Sequence, residues 1–118
     1  MSQFQTMEPQ QLDRIFIALS DAGRRGMVER LSLGPATVKQ LAEPHQMGLP
    51  SALKHLRVLE DGGIVVSSKA GRTRTYTMRP GALSAIDQWV RQREAALNSA
   101  FDRLVSVIAE TPEEEDIR

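Results

Sequence analysis

The segment that decides the fold spans residues 49–66 and reads LPSALKHLRVLEDGGIVV. Its proline, Pro50, suits the first turn of a helix, where the missing N–H costs nothing. The apolar positions that follow have the i, i+4, i+7 spacing of a helix that buries one face; they are Ala52, Leu56 and Leu59. Gly62-Gly63 can leave the helix in a left-handed conformation, and the run Ile64–Ser68 begins with three β-branched residues. The segment therefore predicts a helix over 49–61 that is joined tightly to a strand.

A shorter helix is predicted just before this segment. Thr37 and Gln40 have the spacing of a capping box, in which each side chain bonds a backbone N–H at the other's position. Pro44 ends this helix after about two turns because proline cannot donate to the helical ladder, and Met47-Gly48 turns the chain. The buried side of the helix is predicted to be Val38, Leu41 and Ala42. With the helix over 49–61, this arrangement is a helix-turn-helix.

Two more helices are predicted nearer the start of the chain. The first has apolar residues at i, i+3, i+4 and i+7, namely Leu12, Ile15, Phe16 and Leu19. Ser20 or Asp21 can cap the second helix, and Gly34-Pro35 ends it. Its apolar face is predicted to be Met27, Val28 and Leu31. Each helix buries one stripe, so both belong to the same small core.

After residue 63 the period of the apolar pattern changes to two. The runs Ile64–Ser68 and Thr73–Met78 are separated by Lys69-Ala70-Gly71-Arg72, and Pro80-Gly81 closes the second run. Alternating runs around a glycine-containing turn predict a β-hairpin, here with a basic tip.

One long helix is predicted from residue 83 to about residue 109. Leucine or valine recurs every seven residues, and Arg93 interrupts the stripe. At about 1.5 Å per residue the helix is roughly 40 Å long. A domain built from residues 10–80 is too short to cover it, so part of the stripe needs a second copy. We predict a homodimer held by the first and last helices through Leu12, Phe16, Leu83, Ile86, Trp89, Val90, Leu97, Phe101, Leu104 and Ile108. The alternative for Trp89 and Phe101 is the wall of a ligand pocket.

The composition bounds the class of protein. With 118 residues, 41% hydrophobic and 25% charged, the chain is expected to form one globular domain over 1–110, mainly α with a small β-hairpin and five helices. Residues 111–118 are expected to be an acidic, disordered tail. The chain has no cysteine and only two histidines, which argues against metal sites and thiol chemistry, and we expect no cofactor. No apolar run reaches the ~18 residues of a membrane helix, and we expect a cytoplasmic protein.

The charges are unevenly distributed although the net charge is zero. Residues 35–80 contain seven basic and three acidic side chains, a net charge of +4. Residues 81–118 contain four basic and eight acidic side chains, a net charge of −4. Because binding to phosphate depends on the local surface, the basic middle of the chain is compatible with nucleic acid.

Four stretches of this sequence resemble the ArsR-type family of bacterial regulators. They are Ile17–Asp21 followed by Arg24-Arg25, Val38–Ala42, Leu53–Val65 and Gly71–Tyr76. The similarity covers about residues 10–108, and the order of elements is the one predicted above. The resemblance implies a winged helix-turn-helix regulator, expected to repress transcription as a homodimer on an inverted-repeat operator. A small-molecule effector is left open as a further partner.

The resemblance also implies where DNA binds. The helix over 49–61 is expected in the major groove, and the hairpin is expected to be the wing. Ser51, Lys54 and His55 are expected to face outward towards bases or phosphates, although a packing role is the alternative for His55. Thymine methyl contacts are expected from Leu49, Pro50 and Leu53. Arg72 is expected in the minor groove, and Lys69 and Arg74 on phosphates. The full predicted set is Lys39, Leu49, Pro50, Ser51, Leu53, Lys54, His55, Arg57, Lys69, Arg72 and Arg74.

The sequence departs from the family pattern at several positions. Gly48 and Leu53 stand where serine is frequent, so an apolar side chain replaces a hydrogen-bonding one at residue 53. The cysteine pair of the metal-sensing members is absent from Val38–Ala42, and no histidine follows His55. We therefore expect a member that does not sense metals.

The alternatives to a DNA-binding regulator come from two other classes of protein. An enzyme would need a nucleophile, a base and a pocket, and no such arrangement or carboxylate pair stands out in the sequence. The remaining alternative is a winged-helix module that binds protein and not DNA.

Overall fold

The structure, a computed structural model, describes residues 9–110, and the predicted acidic tail at 111–118 lies outside them. Packing divides the chain into two compact units, Met1–Ala85 and Ile86–Arg118. The described part of the first unit contains four helices and a small sheet, and that of the second is the greater part of a fifth helix. The number of helices and the mainly α class are as predicted, and the single domain over 1–110 stays a prediction.

The first two helices are α1, Pro9–Leu19, and α2, Ala22–Leu31. Ile15 and Ala18 bury the inner side of α1, as Met27 and Leu31 do for α2. Asp21 is the N-cap of α2, because its carboxylate accepts a hydrogen bond from the backbone N–H of Arg24 at 3.0 Å. Of the two predicted caps, the aspartate is therefore confirmed.

The predicted capping box is present at the start of α3, Val38–Ala42. The N–H of Gln40 donates to the Thr37 hydroxyl, and the N–H of Thr37 donates to the Gln40 side chain at 2.9 Å. A 3₁₀ turn over Glu43–His45 contains the proline that ends the helix. The left-handed residue of the following turn is Gln46, with φ 52°, and not the predicted Met47-Gly48 pair. The 3₁₀ turn closes with the Gln46 N–H on the carbonyl of Glu43, which moves the reversal one residue earlier.

The next helix, α4, spans Leu49–Asp61, the range predicted from the sequence. Its core residues Ala52, Leu56 and Leu59 are all 0% exposed. Gly63, with φ 75°, supplies the left-handed exit. The packing of α3 against α4 completes the helix-turn-helix.

The sheet has three antiparallel strands in the order β1-β3-β2. They are β1, Ala36–Thr37; β2, Val65–Ala70; and β3, Thr73–Met78. The hairpin turn is tighter than predicted, because Ala70 pairs with Thr73 and only Gly71-Arg72 remain unpaired. Gly71 has φ 64°, as the first central residue of a type II′ turn requires. The short strand β1 was not predicted, and it pairs Ala36 with Tyr76.

The fifth helix, α5, spans Ser84–Glu110, within one residue of the predicted bounds. None of its residues is buried. Leu97 and Phe101 are 67% and 62% exposed, although such side chains are usually inside a protein. The Arg93 guanidinium lies 5.1 Å from the centre of the Trp89 ring, a cation–π contact beside the apolar stripe.

The described helices do not include a candidate membrane span. None of them combines the length and the apolar character that crossing a bilayer demands.

Candidate nucleic-acid interface

The outer face of α4 presents apolar and cationic groups side by side. One shallow, open concavity on this face is lined by Pro50, Leu53, Lys54 and Arg57. Leu49 and Leu53 are 48% and 46% exposed. Because the opposite face of the helix is fixed in the core, rotation cannot hide these leucines. Ser51 is exposed as well, so most of the predicted contacts on α4 do face solvent.

Five of the predicted DNA-binding cations have no partner in the described part of the chain. Each is exposed and makes no hydrogen bond or ion pair there; they are Lys39, Lys54, Arg57, Lys69 and Arg72. A cation without a neighbouring carboxylate is available to an external anion such as phosphate. Lys39 lies on α3, which packs on α4, so the helix-turn-helix contributes three of the five.

The hairpin places two cations opposite each other. Lys69 pairs with Arg74 across β2 and β3, and the exposed residue Arg72 lies in the turn beyond them. Like charges directly opposite on a sheet destabilise it by a few tenths of a kcal/mol, roughly up to 1 kcal/mol. A hairpin that retains such a pair near its tip is suited to an anionic partner.

Arg74 differs from the other cations because it is bound within the fold. Its Nη1 donates to the Ser67 hydroxyl at 2.9 Å, and that hydroxyl donates to the Glu60 carboxylate at 3.0 Å. This chain of hydrogen bonds joins both strands of the hairpin to the last turn of α4. Tyr76 lies nearby, and burial together with the charge of Glu60 raises the pKa of its phenol. Arg74 therefore has an internal role in addition to any phosphate contact.

His55 does not face outward as the sequence predicted. Its side chain is 24% exposed, and Nδ1 lies 3.1 Å from Nη1 of Arg24 on α2 and 3.9 Å from the Asp21 carboxylate. The backbone N–H of Arg24 lowers the pKa of that carboxyl group. The prediction of an outward histidine was wrong because residue 55 lies at the edge of the buried stripe of α4, where α2 packs.

Sequence reasoning missed Arg24 as a functional candidate. Its Nε donates to the carbonyl of Ala18 at 2.7 Å and its Nη2 to that of Ile17 at 3.1 Å. Arg24 stood in the sequence only as part of the resemblance that starts at Ile17. Nothing in that pattern indicated its contact with a residue 31 positions later.

Between residues 9 and 110, no group of three or more histidine, aspartate or glutamate side chains is arranged to hold an ion.

The sequence is similar to known transcriptional regulators. It is 39% identical over 74 residues to a helix-turn-helix-type regulator of Mycobacterium tuberculosis, a match that covers 63% of this chain and 69% of that protein. It is 25% identical over 79 residues to the transcriptional repressor SdpR of Bacillus subtilis, which covers 67% of this chain and 88% of the repressor. No profile of a protein family matches the sequence.

Solved structures share the fold. The crystal structure of an ArsR family transcriptional regulator has a TM-score of 0.74 and 41% identity, covering 80% of this chain and 97% of that one. A homodimeric winged helix-turn-helix DNA-binding domain of Mycobacterium bovis has a TM-score of 0.56 at 21% identity, covering 86% of this chain and 94% of that one. At that lower identity the second likeness concerns the fold alone.

Proposed function

Because this chain belongs to the ArsR family of transcriptional regulators, we propose that it binds a specific operator in double-stranded DNA as a homodimer and represses transcription there. The observation that carries the proposal is the outer face of α4, where Lys54 and Arg57 are exposed cations beside exposed Leu53. An α-helix fits the major groove, and its first turns meet the base edges. We therefore call α4 the recognition helix.

The recognition helix carries groups for two kinds of base contact. Lys54 can donate to the O6 and N7 acceptors of guanine, and Ser51 can donate or accept. Leu49 and Leu53 offer methyl groups that suit the C5 methyl of thymine. A leucine at residue 53 is therefore expected to favour thymine at the base pair that it faces. Acidic side chains lie only in the last turn of the helix, at Glu60 and Asp61, away from these contacts.

The hairpin is proposed to act as the wing. Its tip residue Arg72 is free to enter the minor groove, whose negative potential attracts arginine. Lys69 contacts phosphate, which relieves the repulsion from Arg74 across the hairpin. Contacts of this kind position the protein and carry little base specificity.

The exposed stripe of α5 supports the homodimer. Val90, Leu97 and Leu104 follow one another at seven-residue spacing and are 38%, 67% and 55% exposed. A monomer in water rarely exposes so long an apolar stripe, and a second copy of the same helix would bury it. The proposed interface also includes α1, where Leu12 is half-buried and Phe16 is 39% exposed.

Two recognition helices related by a two-fold axis require a symmetric operator. We expect an inverted repeat whose half-sites are about 34 Å apart, one helical turn of DNA, or a multiple of that distance. Selection of bound sequences from a random library tests this expectation. Single half-sites or direct repeats among the selected sequences would contradict it, and the absence of any DNA binding would leave a protein-interaction module as the function.

Selection with three variants separates base readout from positioning. Lys54→Ala is expected to cost about 1–3 kcal/mol of binding free energy and to relax the preferred base. Leu53→Ser is expected to shift the preference away from thymine without unfolding the protein. Arg72→Ala is expected to weaken all sequences more evenly and to reduce the salt dependence of binding. Arg103→Ala, which removes an exposed charge from α5, is the matched control. If Arg72→Ala alone changes the selected sequence motif, the wing reads the bases and the recognition helix positions the protein.

We propose repression, and not activation, because the relative SdpR is a transcriptional repressor. A protein bound across a promoter blocks polymerase, so a reporter gene behind the selected operator should be expressed less when the protein is present. Lys54→Ala should restore expression. Higher expression with the wild-type protein would identify an activator.

We further propose that metals do not control DNA binding. The chain has no cysteine and two histidines, too few soft ligands for a closed zinc or arsenite site. Zinc, cadmium and arsenite should therefore leave the operator complex intact in a gel shift. Stoichiometric metal binding by calorimetry, coupled to release of DNA, would contradict this.

A further inference from the structure

One side chain joins three helices of the first unit. The guanidinium of Arg24, on α2, donates to the carbonyls of Ile17 and Ala18 in the last turn of α1 and lies 3.1 Å from Nδ1 of His55 on α4. Carbonyls at the end of a helix lack partners within that helix, and Arg24 supplies a donor to that of Ala18. The Ile17 carbonyl also accepts from the backbone N–H and the hydroxyl of Ser20. The same group therefore contacts both α1 and the recognition helix.

The chemistry of the pair assigns the hydrogen of His55. Arginine has only donors, so its contact with Nδ1 requires the ring to accept there, and the proton of the neutral ring lies on Nε2. The Asp21 carboxylate is a second charged group near the same nitrogen, with one oxygen 3.9 Å from Nδ1. It holds the amide of Arg24 and so keeps the arginine at the start of α2.

We infer that Arg24 is a positioning residue for DNA recognition, which acts through its contact with His55 on the recognition helix. The Arg24–His55 contact sets the rotation of the recognition helix relative to α1. His55 immediately follows Lys54 in the sequence, so a change at the contact moves the side chain proposed to meet a base. This inference rests on the proposed function, because it concerns how a DNA-bound dimer holds its two recognition helices.

The placement of α1 explains why the Arg24–His55 contact, which we call the link, affects an operator with two half-sites. The proposed dimer uses Leu12 and Phe16 on α1, while Lys54 on α4 meets the DNA. A fixed angle between α1 and α4 fixes the separation of the two recognition helices in the dimer. Loss of the link should therefore weaken binding and reduce the discrimination between operators of correct and incorrect spacing.

Two substitutions of His55 distinguish positioning from direct contact. Asparagine places an acceptor oxygen one bond beyond Cγ, where Nδ1 stands, whereas the amide of glutamine lies nearer the place of Nε2. We expect His55→Asn to bind the operator within about threefold of wild type and His55→Gln to bind about tenfold more weakly, the effect of one lost hydrogen bond between partly buried groups. The reverse order would show contact with DNA through Nε2 and would overturn the inference.

A second measurement separates positioning from a general loss of stability. Each variant is assayed by fluorescence anisotropy on the selected operator and on one with the half-sites moved apart by one base pair, after its thermal unfolding has been measured. His55→Gln should lower the ratio of the affinity for the selected operator to the affinity for the displaced one. His55→Asn should retain the ratio of wild type. If both variants unfold earlier but keep that ratio, the link is only structural and the inference is wrong.

A double-mutant cycle tests the link itself. If Arg24 acts through His55, Arg24→Ala combined with His55→Ala should bind no more weakly than the worse single variant. Additive losses would overturn the inference. If the wild-type protein binds no DNA, the proposed function fails and the inference with it; wild-type binding with additive losses removes the inference alone.

Discussion

The two compact units of this protein differ in whether their apolar residues are buried. The unit up to residue 85 contains every buried hydrophobic residue of the described chain, from Ile15 to Tyr76. The helix α5, nearly all of it in the other unit, has an apolar stripe of comparable character and buries none of it. The described core therefore lies in the first unit, whereas the stripe of α5 is the surface that the proposed dimer would cover. The same residue type, leucine, has a different role in each unit.

The largest effect is expected from Leu97→Asp on α5. A charge without a partner in an apolar interface costs about 4 kcal/mol, which raises the dimer dissociation constant roughly a thousandfold. Sedimentation at micromolar concentration should change from dimer to a monomer of 13.1 kDa, the mass of one chain.

The control for this prediction adds the same charge elsewhere on the helix. Asn98→Asp lies next to the stripe residue and should leave the dimer intact. If wild type is already a monomer, or if Leu97→Asp remains a dimer, the contrast between the units has another cause.

The next effect is expected from Leu56→Ala in the core of the first unit. Leu56 is 0% exposed, and such truncations cost about 2–5 kcal/mol of unfolding free energy. Denaturation with urea measures the change.

Leu53→Ala is the matched control because it makes the same truncation on the exposed face of the same helix. It should cost less than about 1 kcal/mol of unfolding free energy, since little apolar contact is lost. Equal losses for the two variants would mean that α4 does not have one buried and one exposed face.

The smallest effect is expected from Thr37→Ala at the start of α3. The substitution removes one bond of the capping box and should lower the unfolding free energy by about 1 kcal/mol. Thr37→Ser retains the hydroxyl and should recover most of it. If Thr37→Ser lowers the unfolding free energy as much as Thr37→Ala does, the source of the effect is the Thr37–Thr75 strand pairing and not the cap.

Prediction from the sequence succeeded where neighbouring residues decide the conformation. The bounds of α4 follow from Pro50 at its start and Gly63 at its end, and the capping box of α3 is a contact over three residues. It failed where distant residues meet. Strand β1 exists because Ala36 pairs with Tyr76, and the tight hairpin turn depends on the pairing of Ala70 with Thr73.

The candidate interface divides in the same way. The family resemblance implied that Pro50, Leu53, Lys54 and Arg57 bind DNA, and helical periodicity agrees, because the buried stripe of a helix determines the face opposite to it. His55 lies at the edge of that stripe, where periodicity does not distinguish an exposed side chain from one that packs on a neighbour. The position of α2 decides the question, and α2 places Arg24 beside His55.

The sequence by itself determined the order of the five helices and the hairpin, the buried face of α4 and the lack of thiolate ligands. These properties follow from local spacing and composition, which do not depend on how the chain folds back on itself. Only the tertiary structure decided strand β1, the Glu60–Ser67–Arg74 network and the contacts by which Arg24 joins α1 to the recognition helix. Each of these depends on directional hydrogen bonds between different helices and strands, and such bonds form only after packing has brought their atoms within about 3 Å.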